Sequence, residues 1–507
     1  MANKIYKAAI DIILIFSSII LLFLTINSIV HYVYLDVEDG NLGLHFHDLL
    51  SIIMLAALLI IIFLFSKYIL IKISDKTLFA ALATVMTLAG IYLIVNCVPA
   101  VRADAMMVYN YIERFNAGNY VGIEDGYYFS WNPALLGLLT YERIIGAFTM
   151  NLRVFYAFEL VWYLLIHFLI WMIARKITKD TMVVKLVVLI SFMFFPVLFY
   201  ILQVYGMLLG FALALSSLYM LILAMQSSGK KQYIYFVLSA LFIGLACLIK
   251  QQYQIMMIAM IIICFLEFIR SKKPVLLMAA IIMPIVTICF SSILFEAYRK
   301  ASGYDMGTGE PISLYIAMGL QDSENPLNNG TYNGYNYDTY SDLNFDEKLS
   351  SQIAKQDIKK RLNYFAKNPA KMCSFFYNKF TGTWNEPTFA SIANGCSVMW
   401  GETPNDLLLG SLYDGDHLYH IYVKYMSALL SFLYLTALAT IIIRTSRKYE
   451  WNVLDIFPYL YLTGGFLYHL MSESSARYVY IYVFMLIPAL AGELPGILNK
   501  INKPKES

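Results

Sequence analysis

Charge is what this chain has least of. Asp, Glu, Lys and Arg make up 14% of its 507 residues, where a soluble domain carries about 25%. Hydrophobic residues take up the difference, at 60% against about 45–50% in soluble proteins. That composition excludes an ordinary soluble domain and reads as an all-α polytopic membrane protein embedded in a lipid bilayer. An excess of one sign is also missing. The net charge of +3 gives no electrostatic footprint for a nucleic acid, so none is expected as a partner. The six Cys form no CxxC and no Cys/His zinc spacing. Cys97, Cys247, Cys264 and Cys289 fall in apolar runs and read as small buried hydrophobes. Cys373 and Cys396 fall in a polar segment, and the sequence leaves open whether they pair. There is no fixed-period repeat and no low-complexity tract. The apolar run that follows Met1–Lys7 has no small-residue cleavage pattern, so it reads as an anchor.

What is present is a series of long apolar runs. A spanning helix needs about 20 mostly apolar residues, and by that criterion the chain offers about twelve candidates. They cover roughly 10–33, 49–71, 77–100, 152–174, 182–201, 204–226, 233–250, 254–269, 275–296, 419–443, 454–472 and 478–497, with ends uncertain by about 2–4 residues. The 40 Tyr and 33 Phe suit a chain with many membrane–water interfaces. With the N-terminus inside, the cytoplasmic loops become Lys72–Lys76, Arg175–Lys179, Lys230-Lys231, Arg270–Lys273, Arg444–Lys448 and the Lys500–Lys505 tail, all basic, as the positive-inside rule requires. The first opposite loop carries Asp36, Glu38, Asp39 and Asp48 and no Lys or Arg. Both termini are therefore expected in the cytoplasm of a multi-pass cell-membrane protein.

Three regions follow: a transmembrane region over 1–296 that includes an outer loop at 101–151, an extracytoplasmic domain over 297–418, and C-terminal transmembrane helices with a cytoplasmic tail over 419–507. In the first outer loop, Val108, Tyr111, Ile112 and Phe115 share one helical face, Asp104 stands at the expected N-cap, and Gly118-Asn119 ends the helix. Asn132-Pro133 opens a second helix, too short to span, of the kind that lies in the interface plane. The second outer segment is read as ordered loop over Gly303–Tyr340. A helix then follows over Phe345–Phe365, with Ala354, Ile358, Leu362 and Phe365 on one stripe, and another over Ala370–Phe380. These make a small, mainly helical outer domain.

The outer turns hold the residues that could carry chemistry. In Arg102-Ala103-Asp104 the carboxylate reads either as a general base or metal-holding group facing a phosphate substrate, or as a helix cap beside a snorkelling arginine. Lys250, in the turn Lys250-Gln251-Gln252-Tyr253-Gln254, lies on the side where positive charge is disfavoured. It reads as a phosphate-binding point charge or as a headgroup contact. In Glu473-Ser474-Ser475-Ala476-Arg477-Tyr478, Glu473 and Arg477 can pair on a helical turn, or Arg477 can fork onto phosphate oxygens. His469 lies just before that turn. Glu159 and His167, inside the fourth span, either line a groove or tie helices together. His45-Phe46-His47-Asp48 and Asp414-Gly415-Asp416-His417-Leu418-Tyr419-His420 match no strong metal spacing, and Asn329-Gly330-Thr331 matches a glycosylation sequon.

Taken in order, several short motifs resemble a known family. They are Arg102-Ala103-Asp104 with Phe115-Asn116-Ala117-Gly118-Asn119-Tyr120, then Asn132-Pro133 with Leu136-Gly137, Val204-Tyr205-Gly206, Met318-Gly319-Leu320, Lys379-Phe380 with Trp384-Asn385-Glu386-Pro387-Thr388-Phe389, and Glu473 to Tyr478. With the span count and the late outer domain, the chain resembles GT-C glycosyltransferases, and more closely the bacterial relatives of the protein O-mannosyltransferases (glycosyltransferase family 39). The resemblance implies a polyprenyl-phosphate sugar donor, an envelope glycan, polymer or protein as acceptor, inverting transfer on the outer face, and no nucleotide sugar. It makes Asp104 the candidate base. It implies that basic residues at outer helix ends hold the lipid phosphate; by position, Lys250 and Arg477 are the best placed, then Arg102 and Arg299, and Tyr205, Glu473 and Tyr478 are further candidate substrate-binding residues. Many members carry two acids in the first loop. Here Ala103 and Ala105 flank Asp104, and Glu113 is more than two turns away. A divalent metal ion is left open as a cofactor, and no metal ligand is assigned. Two alternatives stay open: a polymerase or ligase joining lipid-linked oligosaccharides, and a transporter of lipid-linked sugar without chemistry.

Overall fold

The computed structural model describes residues 2–304, 306–395, 404 and 406–490. Among them, nine helices are long and apolar enough to cross a membrane: Ala2–Val30, Leu49–Leu70, Asp75–Asn96, Leu152–Ile177, Met207–Gln226, Lys230–Ile249, Gln251–Ser271, Val275–Ser302 and His417–Ser446. The expected twelve are reduced for three separate reasons. The run at 182–201 is broken into Thr181–Met193 and Pro196–Leu202, bent by 50°, because Pro196 cannot continue the preceding helix's hydrogen bonding; counted as one span it makes ten. The run at 454–472 does form a helix, Val453–Met471, but Asp455, Pro458, Thr463, Gly464, Gly465 and three tyrosines dilute its apolar character. The run at 478–497 gives the shorter apolar helix Ala476–Ala489, and its remainder lies outside the described residues, as does Cys396.

The fold is also not purely helical. His31–Leu35 and Leu42–Phe46 form an antiparallel hairpin, with Val33 opposite Leu44. Its first strand is held from elsewhere, since Val33 N–H donates to the Asn385 carbonyl at 2.9 Å. The histidines here serve packing. His45 stacks on Tyr32, and His420 stacks on Tyr34. His47 lies 2.8 Å from the Ser28 carbonyl. Asp48 caps the next helix through Ser51 N–H at 2.9 Å and pairs with Lys424.

The tyrosines do not simply line interfaces. Tyr156, Tyr253, Tyr419 and Tyr434 are buried to 0% exposure, and each hydroxyl donates to a backbone carbonyl of another segment: Ala100 at 2.8 Å, Met207 at 2.7 Å, Leu35 at 2.6 Å and Trp384 at 2.9 Å. In an apolar surround such bonds hold elements in register, while the rings supply buried area. His167 acts in the same way. Its Nε2 lies 3.2 Å from the Ser191 carbonyl on the neighbouring helix, and its ring stacks on Phe192. His167 therefore ties helices.

Parts of residues 101–151 and 306–395 meet the short turns at 203–206, 250–253 and 472–475: Tyr205 donates to Asp104, Gly137 packs on Leu248, and Glu473 N–H donates to the Tyr315 carbonyl. The stretch read as loop over Gly303–Tyr340 contains two short helices, Ile312–Gly319 and Tyr335–Asp342. The later helices run Glu347–Lys367 and Pro369–Trp384. Small apolar clusters around Leu314, Tyr340 and Ala354, and around Leu320, Phe365 and Phe375, hold this segment together. From Phe380 onward its residues join the main core of the bundle. The sequon asparagine Asn329 is 5% exposed, and its side-chain oxygen accepts from Ser323 N–H at 2.9 Å. It is therefore engaged inside a turn.

Candidate active site

Asp104 lies in the first turn of the helix Ala103–Asn116, whose N-cap residue is Arg102 and carries no side-chain capping bond. The expectation that Asp104 caps the helix is thus corrected. Its carboxylate faces elsewhere: Tyr128 donates to one oxygen at 2.9 Å and Tyr205 to the other at 3.1 Å. Ala103 just before it has φ of 49°, a left-handed conformation that costs a residue with a side chain about 1–3 kcal/mol. The strain turns the helix start so that Asp104 points into the bundle end.

The helix itself is fixed by the predicted face: Val108, Ile112 and Phe115 are at 0% exposure and Tyr111 at 8%. Arg143, on the helix Leu136–Gly146, clamps its far end. The guanidinium donates to Asn116 Oδ1 at 2.9 Å, the Phe115 carbonyl at 2.9 Å and the Tyr298 hydroxyl at 3.1 Å. Gly137 explains how this second helix comes so close to the bundle. A Cβ there would lie 1.9 Å from the Leu248 carbonyl oxygen, so only glycine allows the contact. Leu248 is two residues from Lys250, and the contact sets the first loop beside the Lys250 turn.

A small cleft is lined by Arg102, Asp104, Gln203, Tyr205, Asn394 and Arg477 among others. Four of the predicted site residues therefore meet in one place: Arg102, Asp104, Tyr205 and Arg477. Lys250 adjoins them through Tyr205, its ammonium 3.7 Å from the ring centroid, a cation–π contact. Burial pushes the Lys250 ammonium down to about 7; Arg477 adds to the shift, while Asp104 and Glu473 oppose it. Tyr478 sits between the remaining two. Arg477 Nη2 donates to the Tyr478 hydroxyl at 3.1 Å, which donates to Glu473 Oε1 at 3.2 Å. Arg477 Nε and Gln203 Oε1 are buried with no hydrogen-bond partner among the described residues. The cleft thus holds an unused donor and an unused acceptor.

Other expected residues lie apart. Arg299 is exposed and paired with Glu296 at 2.7 Å. Glu113 is exposed, on the face of its helix away from the packed residues. Two participants were missed. Tyr128 donates to Asp104 across 24 residues of sequence. Glu310 belongs to the second long segment, yet its carboxyl is raised by burial and, in smaller part, by the charge of Asp104. Asn336 donates to Glu310 at 2.8 Å, and Glu310 N–H donates to the Trp131 carbonyl at 3.0 Å. Glu473 is raised in the same manner, by burial first and by Asp104 among lesser causes. Asp104 therefore has acidic company from distant segments, which its immediate sequence neighbours do not reveal. Among the described residues no group of three or more His, Cys, Asp or Glu side chains is arranged to hold a metal ion.

No family model matches the chain, and no curated protein matches it. Among solved structures the chain is similar to the archaeal oligosaccharyltransferase AglB from Archaeoglobus fulgidus, determined in complex with an inhibitory peptide and a dolichol-phosphate, at a TM-score of 0.41 and 13% sequence identity. The likeness covers 87% of this chain and 53% of that one, so the chain spans about half the length of that protein.

Proposed function

We propose that this protein is a membrane glycosyltransferase that moves a sugar from a polyprenyl-phosphate carrier to a cell-envelope acceptor on the outer face of the membrane. The observation that carries the proposal is the convergence of Asp104 with Arg102 and Arg477 in the lining of a single cleft, with Lys250 alongside. The basic loops at the opposite ends of the spans support an outward-facing cleft.

The chemistry asks for little more. The acceptor hydroxyl attacks the anomeric carbon as the bond from that carbon to the phosphate oxygen breaks. The hydroxyl proton passes to Asp104 as general base. The departing phosphate is already a stable anion, so it needs cations and no acid; Arg477, Arg102 and Lys250 are the clamp. Arg477 Nε is the donor still unused. Tyr128 and Tyr205 hold the carboxylate in one orientation, and Glu473 with Tyr478 orients Arg477. Attack opposite the leaving group inverts the anomeric centre without a covalent enzyme intermediate.

Deletion of the gene in the source organism, followed by analysis of envelope glycans and lipid-linked sugars, tests the proposal. Loss of one envelope sugar with build-up of its lipid carrier is expected, restored by the wild-type chain and not by Asp104→Asn. Full restoration by Asp104→Asn would remove the base assignment. Reconstituted protein that moves lipid-linked sugar across a bilayer without consuming it would replace the enzyme with a transporter.

A further inference from the structure

Lys379 lies outside the cleft, on the helix Pro369–Trp384, and is buried to 0% exposure. Its ammonium donates to three backbone carbonyls: Gly319 at 2.5 Å, Ser472 at 2.8 Å and Leu470 at 3.4 Å. An ammonium has three N–H donors, so these partners exhaust it. The acceptors share an origin. Gly319 ends the helix Ile312–Gly319, and Leu470 and Ser472 stand at the end of Val453–Met471. The final carbonyls of a helix lack partners within it and form the negative end of its dipole. One cation therefore satisfies two helix ends and fastens them together.

The second of those ends leads directly into the turn that carries Glu473, Arg477 and Tyr478. Backbone bonds continue the fastening: Glu473 N–H donates to the Tyr315 carbonyl at 3.1 Å and Ser474 N–H to the Gly330 carbonyl at 2.9 Å. His469 Nδ1 donates to the Glu473 carbonyl at 3.0 Å, and its ring stacks against Tyr478. The two helix ends touch without room to spare, because a Cβ on Gly319 would stand 2.3 Å from the Ser472 carbonyl carbon.

We propose that Lys379 is a positioning residue for the cleft: by joining the helix end at Gly319 to the Leu470–Ser474 turn, it fixes where Arg477, Glu473 and Tyr478 stand relative to Asp104. The site is then completed by the segment between the ninth and tenth apolar runs, which must be docked before the arginine is in place. The fastening stands on geometry alone. Only the identity of the ligand that Arg477 meets rests on the glycosyltransferase reading.

The test uses the full chain in detergent and compares wild type with Lys379→Met, Lys379→Arg and Gly319→Ala. Amide hydrogen exchange is read over residues 472–478, and binding of a short-chain polyprenyl phosphate is measured on the same samples. Lys379→Met and Gly319→Ala are expected to speed exchange there by about tenfold or more, with the helices far from this end unchanged. Both should weaken phosphate binding by about fivefold or more, and Lys379→Arg should recover part of each loss. Unchanged exchange over 472–478 in folded Lys379→Met or Gly319→Ala protein overturns the proposal. Faster exchange with unaltered phosphate binding keeps the fastening and overturns the phosphate role of Arg477. Should Lys379→Met fail to fold, Gly319→Ala retains the lysine and pushes the same two helix ends apart, so the exchange measurement still decides.

Discussion

Two lysines at the same end of the bundle invite comparison. Lys250 and Lys379 both have their ammonium pushed down to about 7, with burial as the leading cause. Lys379 gives all three of its donors to carbonyls of two helix ends. Lys250 instead lies over the face of Tyr205, with no protein hydrogen-bond acceptor among the described residues. Residue type is alike, but Lys379 is fully buried and Lys250 only partly so, and their hydrogen bonds differ. A buried cation whose donors are spent belongs to the scaffold, whereas one whose donors are open beside a cleft is available to an anion.

The largest effect tests whether the cleft beside Lys250 is where chemistry takes place. Asp104→Asn keeps the size and can still accept from one tyrosine, but cannot take a proton. Transfer is expected to fall by roughly 10²–10⁴-fold, measured as sugar transferred per enzyme, with the melting temperature nearly unchanged. A variant with near wild-type turnover would leave Lys250 facing a binding site without a base.

The two lysines should then separate when each is replaced by methionine. Lys379→Met strands three buried carbonyls, each formerly bonded to a charge, and a loss of stability on the order of 3 kcal/mol is expected. Thermal unfolding in detergent measures it. Lys250→Met removes a charge that bears an unfavourable burial, so the protein should unfold at the same temperature or slightly higher. The donor KM should rise about tenfold, the factor of a lost charge-assisted contact near 1.4 kcal/mol. Equal stability losses from both substitutions would erase the distinction.

A smaller effect separates the two roles of Tyr205. Tyr205→Phe keeps the ring beneath Lys250 and removes the hydroxyl bond to Asp104. About a fivefold loss in kcat is expected, the worth of one hydrogen bond near 1 kcal/mol, with donor KM unchanged. Tyr205→Leu should lower kcat and raise KM together, since it removes both contacts.

How much of this was legible beforehand follows from the range of the interactions. The helix Ala103–Asn116 was readable because Val108, Tyr111, Ile112 and Phe115 repeat at 3.6-residue spacing, and all four are buried. Most apolar runs were readable from length alone. Val453–Met471 shows the limit: its polar and glycine content matches a buried helix as well as a spanning one. The hairpin His31–Phe46 was hidden because its first strand is anchored by Asn385, some 350 residues later in the chain. For the same reason the acidic surroundings of Asp104 could not be seen. Glu310 and Glu473 are brought near by a tertiary contact that no local spacing encodes. Gly137 and Gly319 were visible only as members of short motifs; their reason, close approach to Leu248 and Ser472, is a matter of packing.

The finest distinction between the lysines is in pH. A phosphodiester donor keeps its single negative charge across the neutral range, so any change in its binding reports the protein. Lys250 is protonated below about 7 and neutral above it. Donor affinity is therefore expected to fall as pH rises through 7, the direction opposite to that of a base losing its proton. The groups facing Lys250 set where this happens. Arg477 pushes the ammonium toward neutrality, Asp104 and Glu473 hold it charged, and a bound phosphate adds to the latter, so titration of the loaded protein should give a midpoint above that of the free one. Lys250→Arg stays charged throughout this range and should flatten the fall in affinity between pH 6 and 8. Lys379 has its ammonium at a similar value, but it acts through the turn. A slope that survives Lys250→Arg and tracks amide exchange over 472–478 would assign the pH dependence to Lys379 and leave Lys250 as a structural cation.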